Sequence, residues 1–229
     1  MSKSLDRLIV LLWVLVTPMM AVSIYMIFLY APEEKVMGAA QRIFYFHVPT
    51  AMVTYSSVLV LLAGSIGYLW TRNTMWDNLS RAATETGLLF CSLVLITGPI
   101  WAKPAWGTWW TWEARLTTTL VLWLLLVGCL MVRDYAQSRE LGARLAAIVG
   151  IAAALDIPII HKAVEWWRGQ HPVVFGPGKK EALAPEMAQT FGFTVLVFFI
   201  LFALLLALRY RLASIEDRTE AAMDRLASR

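Results

Sequence analysis

Two of the three histidines in this 229-residue chain, His47 and His171, lie on opposite sides of a tryptophan-rich segment in the sequence. His47 lies two residues before Pro49, which can occupy the first turn of a helix, so the imidazole is expected at a helix mouth. His171 follows Trp166 and Trp167 on a segment that reads as a loop. Because paired imidazoles are common axial ligands of heme iron, we predict that His47 and His171 bind a heme from opposite sides.

The remaining histidine and the cysteines argue against other metal chemistry. His161 ends an apolar stretch, where a hydrogen bond to a backbone carbonyl would satisfy it, so a structural role is expected. Zinc fits poorly because no third or fourth His or Cys ligand is near. Cys91 and Cys129 lie inside apolar stretches and form no Cys-x-x-Cys-His, the motif of covalently attached heme.

Five of the eleven tryptophans fall within twelve residues, and they are Trp101, Trp106, Trp109, Trp110 and Trp112. An aromatic belt at the membrane surface explains one or two such residues, but not five in one connection. Pro104 and Gly107 predict an irregular segment that displays the indoles. Large rigid rings suit a flat aromatic ligand. Glu113 and Arg115 close the segment and either pair with each other or leave Arg115 for a ligand carboxylate.

The composition indicates which elements position these residues. Hydrophobic residues make up 59% of the chain and charged residues only 16%, against about 25% in an average soluble domain. Six stretches approach the roughly 20 apolar residues of a membrane-spanning helix. They cover about 8–30, 45–71, 82–102, 116–132, 145–161 and 187–208. The sequence therefore predicts an all-α, polytopic membrane protein, organised as a single six-span domain over residues 1–229.

Lysine and arginine counts predict the orientation of the spans. The N-terminus, the C-terminal tail and the loops on their side carry 12 of these residues, and the other three loops carry 8. This bias predicts that both termini are cytoplasmic. An even number of spans also puts a tryptophan-rich loop, about 101–116, on one face with two histidine loops, about 31–48 and 162–186. We therefore expect the functional residues to gather on the outer face.

The segment from Trp106 to Arg115, Trp-Gly-Thr-Trp-Trp-Thr-Trp-Glu-Ala-Arg, resembles the tryptophan-rich signature of the heme-handling proteins of cytochrome c maturation. The six-span layout, with a histidine loop on each side of the signature, resembles the cytochrome c maturation protein C (CcmC) family, also called heme exporter protein C. Residues 46–49, 101–104 and 158–167 match that family's pattern too, and the likeness runs from about 40 to 170. One departure is Glu113, where the family usually has Asp.

The resemblance implies specific roles for these residues. The resemblance implies that His47 and His171 are the axial ligands of a non-covalent heme b and that the tryptophan-rich loop contacts the macrocycle. It also implies delivery of heme to a membrane-anchored heme chaperone (CcmE), beside a small one-span protein (CcmD) and an ABC-type ATPase and permease pair (CcmA and CcmB). The implied location is the cell inner membrane, with the heme site on the periplasmic side.

Two other functions are compatible with a heme-binding membrane protein. A cytochrome b-like electron carrier would hold heme between histidines deep within the spans, and this chain has none there. A transporter would move heme or another solute through its own core, and Glu85 and Asp156 are ionisable groups within the spans. Both are expected near span ends, where they can reach the interface or pair locally. No nucleotide-binding P-loop motif occurs. The residues favour heme handling and delivery over enzymatic turnover, and leave open whether the chain assists covalent attachment of heme to the chaperone.

Overall fold

The fold was described from a computed structural model, which covers residues 3–169, 171 and 183–227. Within these residues, six helices are long and apolar enough to cross a membrane. They are α1 (Lys3–Tyr25), α2 (Phe44–Thr71), α3 (Thr74–Trp106), α4 (Ala114–Tyr135), α5 (Arg139–Trp167) and α6 (Pro185–Ala227). One wide helical turn, Met26–Tyr30, extends α1, and a 3-10 turn, Ala39–Ile43, leads into α2. The predicted all-α, six-span architecture is confirmed.

Most helices extend well beyond the apolar stretches read from the sequence. Charged residues enter these extensions because they are paired with neighbouring helices. Asp77 on α3 accepts a hydrogen bond from Arg133 on α4 at 2.5 Å. Arg81, in the extension of α3, and Arg209, in the extension of α6, both form ion pairs with Glu85, which lies inside the predicted third span. Pairing lowers the cost of a charge in an apolar setting, so the helices continue where hydropathy alone predicted that they end.

Two sequence-based expectations about helix ends are wrong. Pro104 does not break the helix, since α3 continues to Trp106 and ends at Gly107, whose φ of 74° only glycine adopts easily. A proline this close to the C-terminus removes a single helical hydrogen bond and keeps a helical φ. Asp156 does not lie near a span end, because α5 runs on to Trp167. Its side chain is buried inside the bundle.

Helix α2 lies at the centre of the packing and contacts α3, α5 and α6, while α1 packs against α6. The closest approaches occur at small residues. A Cβ added at Gly64 on α2 would lie 2.8 Å from the backbone nitrogen of Ser80 on α3. A Cβ added at Gly150 on α5 would lie 2.8 Å from Ser65 Oγ on α2. Small residues let backbones meet in this way in membrane helices, where packing replaces the hydrophobic effect between helices.

The tryptophan-rich connection lies at one end of the bundle, which is called the outer end after the predicted orientation. The first turn of α2, the last turns of α3 and the first turn of α4 meet here. Phe44 packs against Trp101 at 6.1 Å and against Phe191 of α6 at 4.9 Å between ring centroids. A buried cluster around Ile27 and Phe44 closes this end from the side of α1. The termini and the connections α2–α3 and α4–α5 lie at the opposite, inner end, which is joined by the ion pairs described above.

Candidate functional site

His47 lies in the first turn of α2 and is buried, with 7% of its surface exposed. Its Nδ1 lies 2.9 Å from the hydroxyl oxygen of Thr97 on α3. The imidazole also faces Trp101, with the ring centroids 5.7 Å apart. Gly98 leaves room for the ring, since a Cβ there would come within 3.4 Å of Cε1. The last turns of α3 thus form a slot for the His47 ring.

His171 lies on a bend that follows α5, after Arg168 has ended that helix with a left-handed φ of 52°. Its ring meets Trp106 edge to face at 6.0 Å, and its Nδ1 lies 3.5 Å from Glu113 Oε1. The carboxylate also fills the space beside Gly169, where a Cβ would come within 2.9 Å of Oε2. This turn of backbone therefore brings His171 against the end of the tryptophan-rich segment.

The imidazole of His171 is neutral in this setting. Burial is the largest cause that lowers its pKa to about 3, and the electrostatic effects of Arg115 and His47 contribute to that shift. The 3.5 Å contact with Glu113 is consequently not an ion pair, although an imidazolium would form one there. A neutral imidazole keeps a nitrogen lone pair, which is the form that binds a metal.

The tryptophan-rich segment has two parts. Trp101 and Trp106 lie on the last turns of α3, and not on an irregular segment as predicted. The chain then turns at Gly107, whose carbonyl accepts a hydrogen bond from Lys103 Nζ at 2.8 Å. Beyond it the chain has no regular secondary structure until α4 begins. The helix thus carries the first two indoles, and the irregular segment carries the other three.

The three indoles of the irregular segment differ in exposure. Trp109 is 57% exposed and Trp112 is 76% exposed, whereas Trp110 is half-buried. Trp110 and Trp112 meet edge to face at 5.7 Å. The Lys103 ammonium lies 5.9 Å from the ring of Trp109, a cation–π distance that helps to fix the turn. One indole thus faces inward while its two neighbours form part of the outer surface.

Several buried polar atoms at this end have no hydrogen-bond partner within the described residues. They are Arg42 Nε, Tyr45 Oη, Trp101 Nε1, Trp110 Nε1, Thr111 Oγ1 and His171 Nδ1. Buried donors are normally satisfied, so a group of them at one place indicates that a polar ligand belongs there. Arg115, in the first turn of α4, adds a positive charge. A ligand with an apolar face and anionic edges fits this combination.

The described residues contain no group of three or more His, Cys, Asp or Glu that could hold a metal ion. Two imidazoles alone are a poor site for a free ion. They suffice for heme, because the macrocycle supplies the other four ligands of the iron. His47, His171, the indoles and a cation are thus a residue set that fits heme.

His161 and the tryptophan pair at the end of α5 lie apart from this set of residues. His161 lies on an exposed face of α5, well before the end of that helix. Trp166 and Trp167, at the end of α5, are both exposed and pair with each other edge to face at 5.7 Å. The part of the predicted histidine loop at residue 170 and at residues 172–182 lies outside the described residues.

Sequence reasoning missed Thr97 and Gly98, which contact the His47 ring. The available signal was weak. A threonine followed by glycine and Pro99 stands four residues before Trp101, inside a stretch read as a membrane span. Its link to His47 joins residues that are 50 positions apart, so it could be recognised only once the packing of α2 on α3 was known.

Comparisons with known proteins identify the family to which the chain belongs. The sequence profile of the family described as heme exporter protein C matches residues 1–225. The chain is 37% identical over 186 residues to heme exporter protein C of Escherichia coli strain K12, covering 80% of this chain and 74% of that protein. It is 35% identical to heme exporter protein C of Haemophilus influenzae, over 82% of this chain and 77% of the relative.

A plant relative extends the match over nearly the whole chain. A putative cytochrome c biosynthesis ccmC-like mitochondrial protein of Arabidopsis thaliana is 30% identical over 230 residues. That match covers 96% of this chain and 85% of the relative. On the strength of the profile match and these identities, the chain belongs to the heme exporter protein C family.

Proposed function

We propose that this chain binds heme b non-covalently at the outer end of its helical bundle and delivers it to the heme chaperone CcmE during c-type cytochrome biogenesis. His47 and His171 bind the iron from opposite sides. The indoles of the tryptophan-rich segment contact the macrocycle, and Arg115 pairs with a propionate. The outer end is periplasmic in this proposal, and the membrane is the cell inner membrane. Family membership supports a role in heme export.

The observation that supports the proposal is the group of buried, unpartnered polar atoms at the end of the bundle that also carries His47 and His171. Trp101 Nε1 and Trp110 Nε1 can donate to anionic oxygens, and the indole faces can cover an apolar ring. Each of these groups is costly to bury without a partner, at about 1–3 kcal/mol. A ligand that satisfies several of them at once gains specificity as well as affinity.

The position of the histidines favours delivery over electron transfer. His47 lies in the first turn of α2, and His171 lies beyond the end of α5, so both are at the outer end. A heme held there can be reached by a partner from outside the membrane. Trp109 and Trp112, which are exposed next to the site, offer that partner an apolar contact surface.

A route for solute through the bundle has less support. Glu85 is occupied by ion pairs with Arg81 and Arg209, and such pairing is a structural role for an intramembrane charge. In this proposal the chain works beside an ABC-type ATPase and permease pair, CcmA and CcmB. In the same assembly CcmD is a small one-span neighbour. The chain itself binds and hands over its cargo.

The test is the absorption spectrum of the purified protein, alone and after co-expression with the chaperone. With two histidine ligands, the bound heme is six-coordinate and low-spin. Replacing either histidine, as His47→Ala or His171→Ala, should shift the spectrum toward a five-coordinate high-spin form and weaken heme retention. Added imidazole should restore the original spectrum, because it can occupy the vacated position.

His161→Ala is the matched control and should leave the spectrum unchanged, since that side chain is exposed on another face of α5. A fully bound, low-spin heme in the His171→Ala variant would overturn the assignment of that ligand. Loss of heme in the His161→Ala variant, with both other histidines intact, would also contradict the proposal.

A further inference from the structure

The Thr97 hydroxyl on α3 lies between two polar atoms. It is 2.7 Å from the backbone carbonyl oxygen of Leu93, one turn earlier on the same helix. It is also 2.9 Å from Nδ1 of His47 on α2. Threonine hydroxyls in helices commonly donate to the carbonyl four residues before them. The contact with His47 is the additional feature, and it joins two helices at the candidate site.

The single proton of the hydroxyl decides which histidine tautomer is present. A carbonyl oxygen can only accept, so at 2.7 Å the Thr97 proton must lie between the two oxygens. The hydroxyl oxygen is then an acceptor toward His47, and Nδ1 must carry the imidazole proton. In the other tautomer Nδ1 would compete for the same proton, and two oxygen lone pairs would face each other at 2.7 Å. Only the Nδ1–H tautomer satisfies both contacts.

The surrounding packing keeps the ring in this orientation. Gly98 lies beside the Cε1 edge, and Trp101 lies one turn after Thr97 with its ring centroid 5.7 Å from that of the imidazole. A flip of the ring would replace Nδ1 by a carbon atom opposite the Thr97 hydroxyl and would lose the hydrogen bond. The three residues come from one stretch of α3, so they move as a unit.

We propose that Thr97 is a positioning residue that fixes His47 in the Nδ1–H tautomer and so leaves Nε2 as the nitrogen that binds the heme iron. This inference rests on the proposed function, in which His47 is an axial ligand. Because the Thr97 hydroxyl accepts a hydrogen bond from Nδ1–H of His47, the imidazole also donates more electron density to a metal at Nε2. Thr97 thereby stabilises ferric heme over ferrous heme and strengthens the hold on the cargo.

The tautomer of His47 can be measured in the heme-free protein. With the histidines labelled with nitrogen-15, the heme-free protein should show a protonated Nδ1 and an unprotonated Nε2 for His47. The His47→Ala variant identifies the signal among the three histidines of the chain. In Thr97→Val, which keeps the shape but removes the hydroxyl, the preference should disappear. In Thr97→Ser it should return, because the hydroxyl is restored. A His47 signal protonated at Nε2 in the unmodified protein would overturn the proposal.

The second arm uses the heme-bound protein. Thr97→Val should raise the midpoint potential of the bound heme and speed its dissociation by about 10-fold or more, the usual effect of losing a partner of a metal-binding histidine. Thr97→Ser should recover both values. The control is Thr86→Val, on the same helix about three turns away, whose hydroxyl bonds only the carbonyl of Ala82. It should leave the potential and the dissociation rate unchanged.

Failure of this inference is distinguishable from failure of the proposed function. If Thr97→Val keeps the potential and dissociation rate of the unmodified protein while His47→Ala loses the axial ligand, Thr97 does not position His47. If His47→Ala itself keeps a six-coordinate, low-spin heme, the assignment of His47 as a ligand fails. A change of equal size in Thr86→Val would assign the effect to the helix in general and would also overturn the role of Thr97.

Discussion

The two histidines at the outer end are held by different contacts. His47 is part of α2, is buried, and has a hydrogen bond to Thr97 at 2.9 Å. His171 lies on a bend outside the helices, and its nearest charged partner is Glu113 at 3.5 Å, too long for a good hydrogen bond. A handover of heme to a partner therefore requires less rearrangement at His171 than at His47.

Trp110 provides a test at the scale of a single atom. Its Nε1 is buried without a hydrogen-bond partner within the described residues, and we expect it to donate to a heme propionate. Trp110→Phe removes this donor and keeps most of the ring. Hydrogen bonds to charged groups contribute about 1.5–3 kcal/mol, so heme affinity should fall by about 10-fold or more. Equilibrium titration of the heme-free protein with hemin measures the change.

Trp112→Phe is the control for this variant, because the Trp112 ring meets that of Trp110 but is itself 76% exposed. It should lose less hemin affinity than Trp110→Phe, because phenylalanine keeps an aromatic face and the Trp112 side chain is largely exposed. Equal losses in the two variants would indicate that the segment as a whole, and not the buried nitrogen, determines affinity. Unchanged affinity in Trp110→Phe would contradict the donor role directly.

At the scale of helices, close packing of α2 on α3 holds the His47 slot together. Gly64→Ala would put a Cβ 2.8 Å from the backbone nitrogen of Ser80, which cannot move without its helix. We expect the helices to separate and the free energy of unfolding to fall by about 1–3 kcal/mol. Gly192→Ala on α6 is the control, since nothing lies within 4 Å of the added atom. That variant should be neutral or slightly more stable, because alanine favours helix.

Thermal unfolding in detergent, followed by circular dichroism, compares the two variants. A melting temperature for Gly64→Ala equal to that of Gly192→Ala would show that the α2–α3 interface accommodates the extra methyl group. The structure would then be too tight at this point. The same preparations, loaded with heme, report whether the separation of α2 from α3 also disturbs the site at the outer end.

The helices illustrate what the sequence could and could not predict. Hydropathy located all six spans, because each helix contains an 18-residue window that is strongly apolar and carries at most two charged residues. It ended the sixth span before Arg209, because it treats Arg209 as an isolated charge, whereas Arg209 pairs with Glu85 on α3. Pro104 was misread because proline is tolerated near a helix end and Gly107 supplies the actual stop.

The candidate site was only partly predictable for a related reason. Histidine can bind a metal and tryptophan can contact a flat ring, so these residue types alone identify His47, His171 and the tryptophans as candidates. The hydroxyl of Thr97 gains its meaning from a neighbour 50 residues away, and nothing in its local sequence reports that contact. His171 and Glu113 likewise meet through the turn after α5.

At the scale of the whole molecule, the two ends of the bundle have different chemistry. The outer end carries the imidazoles and most of the tryptophan-rich segment. At the inner end, Arg139 on α5 pairs with Asp217 on α6, and Arg81 on α3 pairs with Glu216 on α6. These contacts tie α6 to its neighbours where it extends beyond the apolar core. The bundle is thus fixed by ion pairs at one end, and the candidate site lies at the other.

The orientation of these ends in the membrane is the last prediction, and cysteine labelling can test it. The native thiols of Cys91 and Cys129 are buried, so the unmodified chain should remain unlabelled. Val36→Cys, at an outer position that is 89% exposed, should react with a membrane-impermeant maleimide in intact cells with a permeabilised outer membrane. Tyr135→Cys, at the inner end of α4 and 83% exposed, should react only after the inner membrane is opened.

Thr108→Cys, in the tryptophan-rich segment, decides whether the outer connections share one side of the membrane. Because α2 and α3 both cross the bilayer between Val36 and Thr108, the two positions should label together. Labelling of Tyr135→Cys in place of the other two would invert the orientation predicted from the lysine and arginine counts, and the site would face the cytoplasm. Labelling of Val36→Cys without Thr108→Cys, both being expressed and inserted, would contradict the six-span topology itself. Joint labelling of the two from outside is the result expected for a site that hands heme to a periplasmic partner.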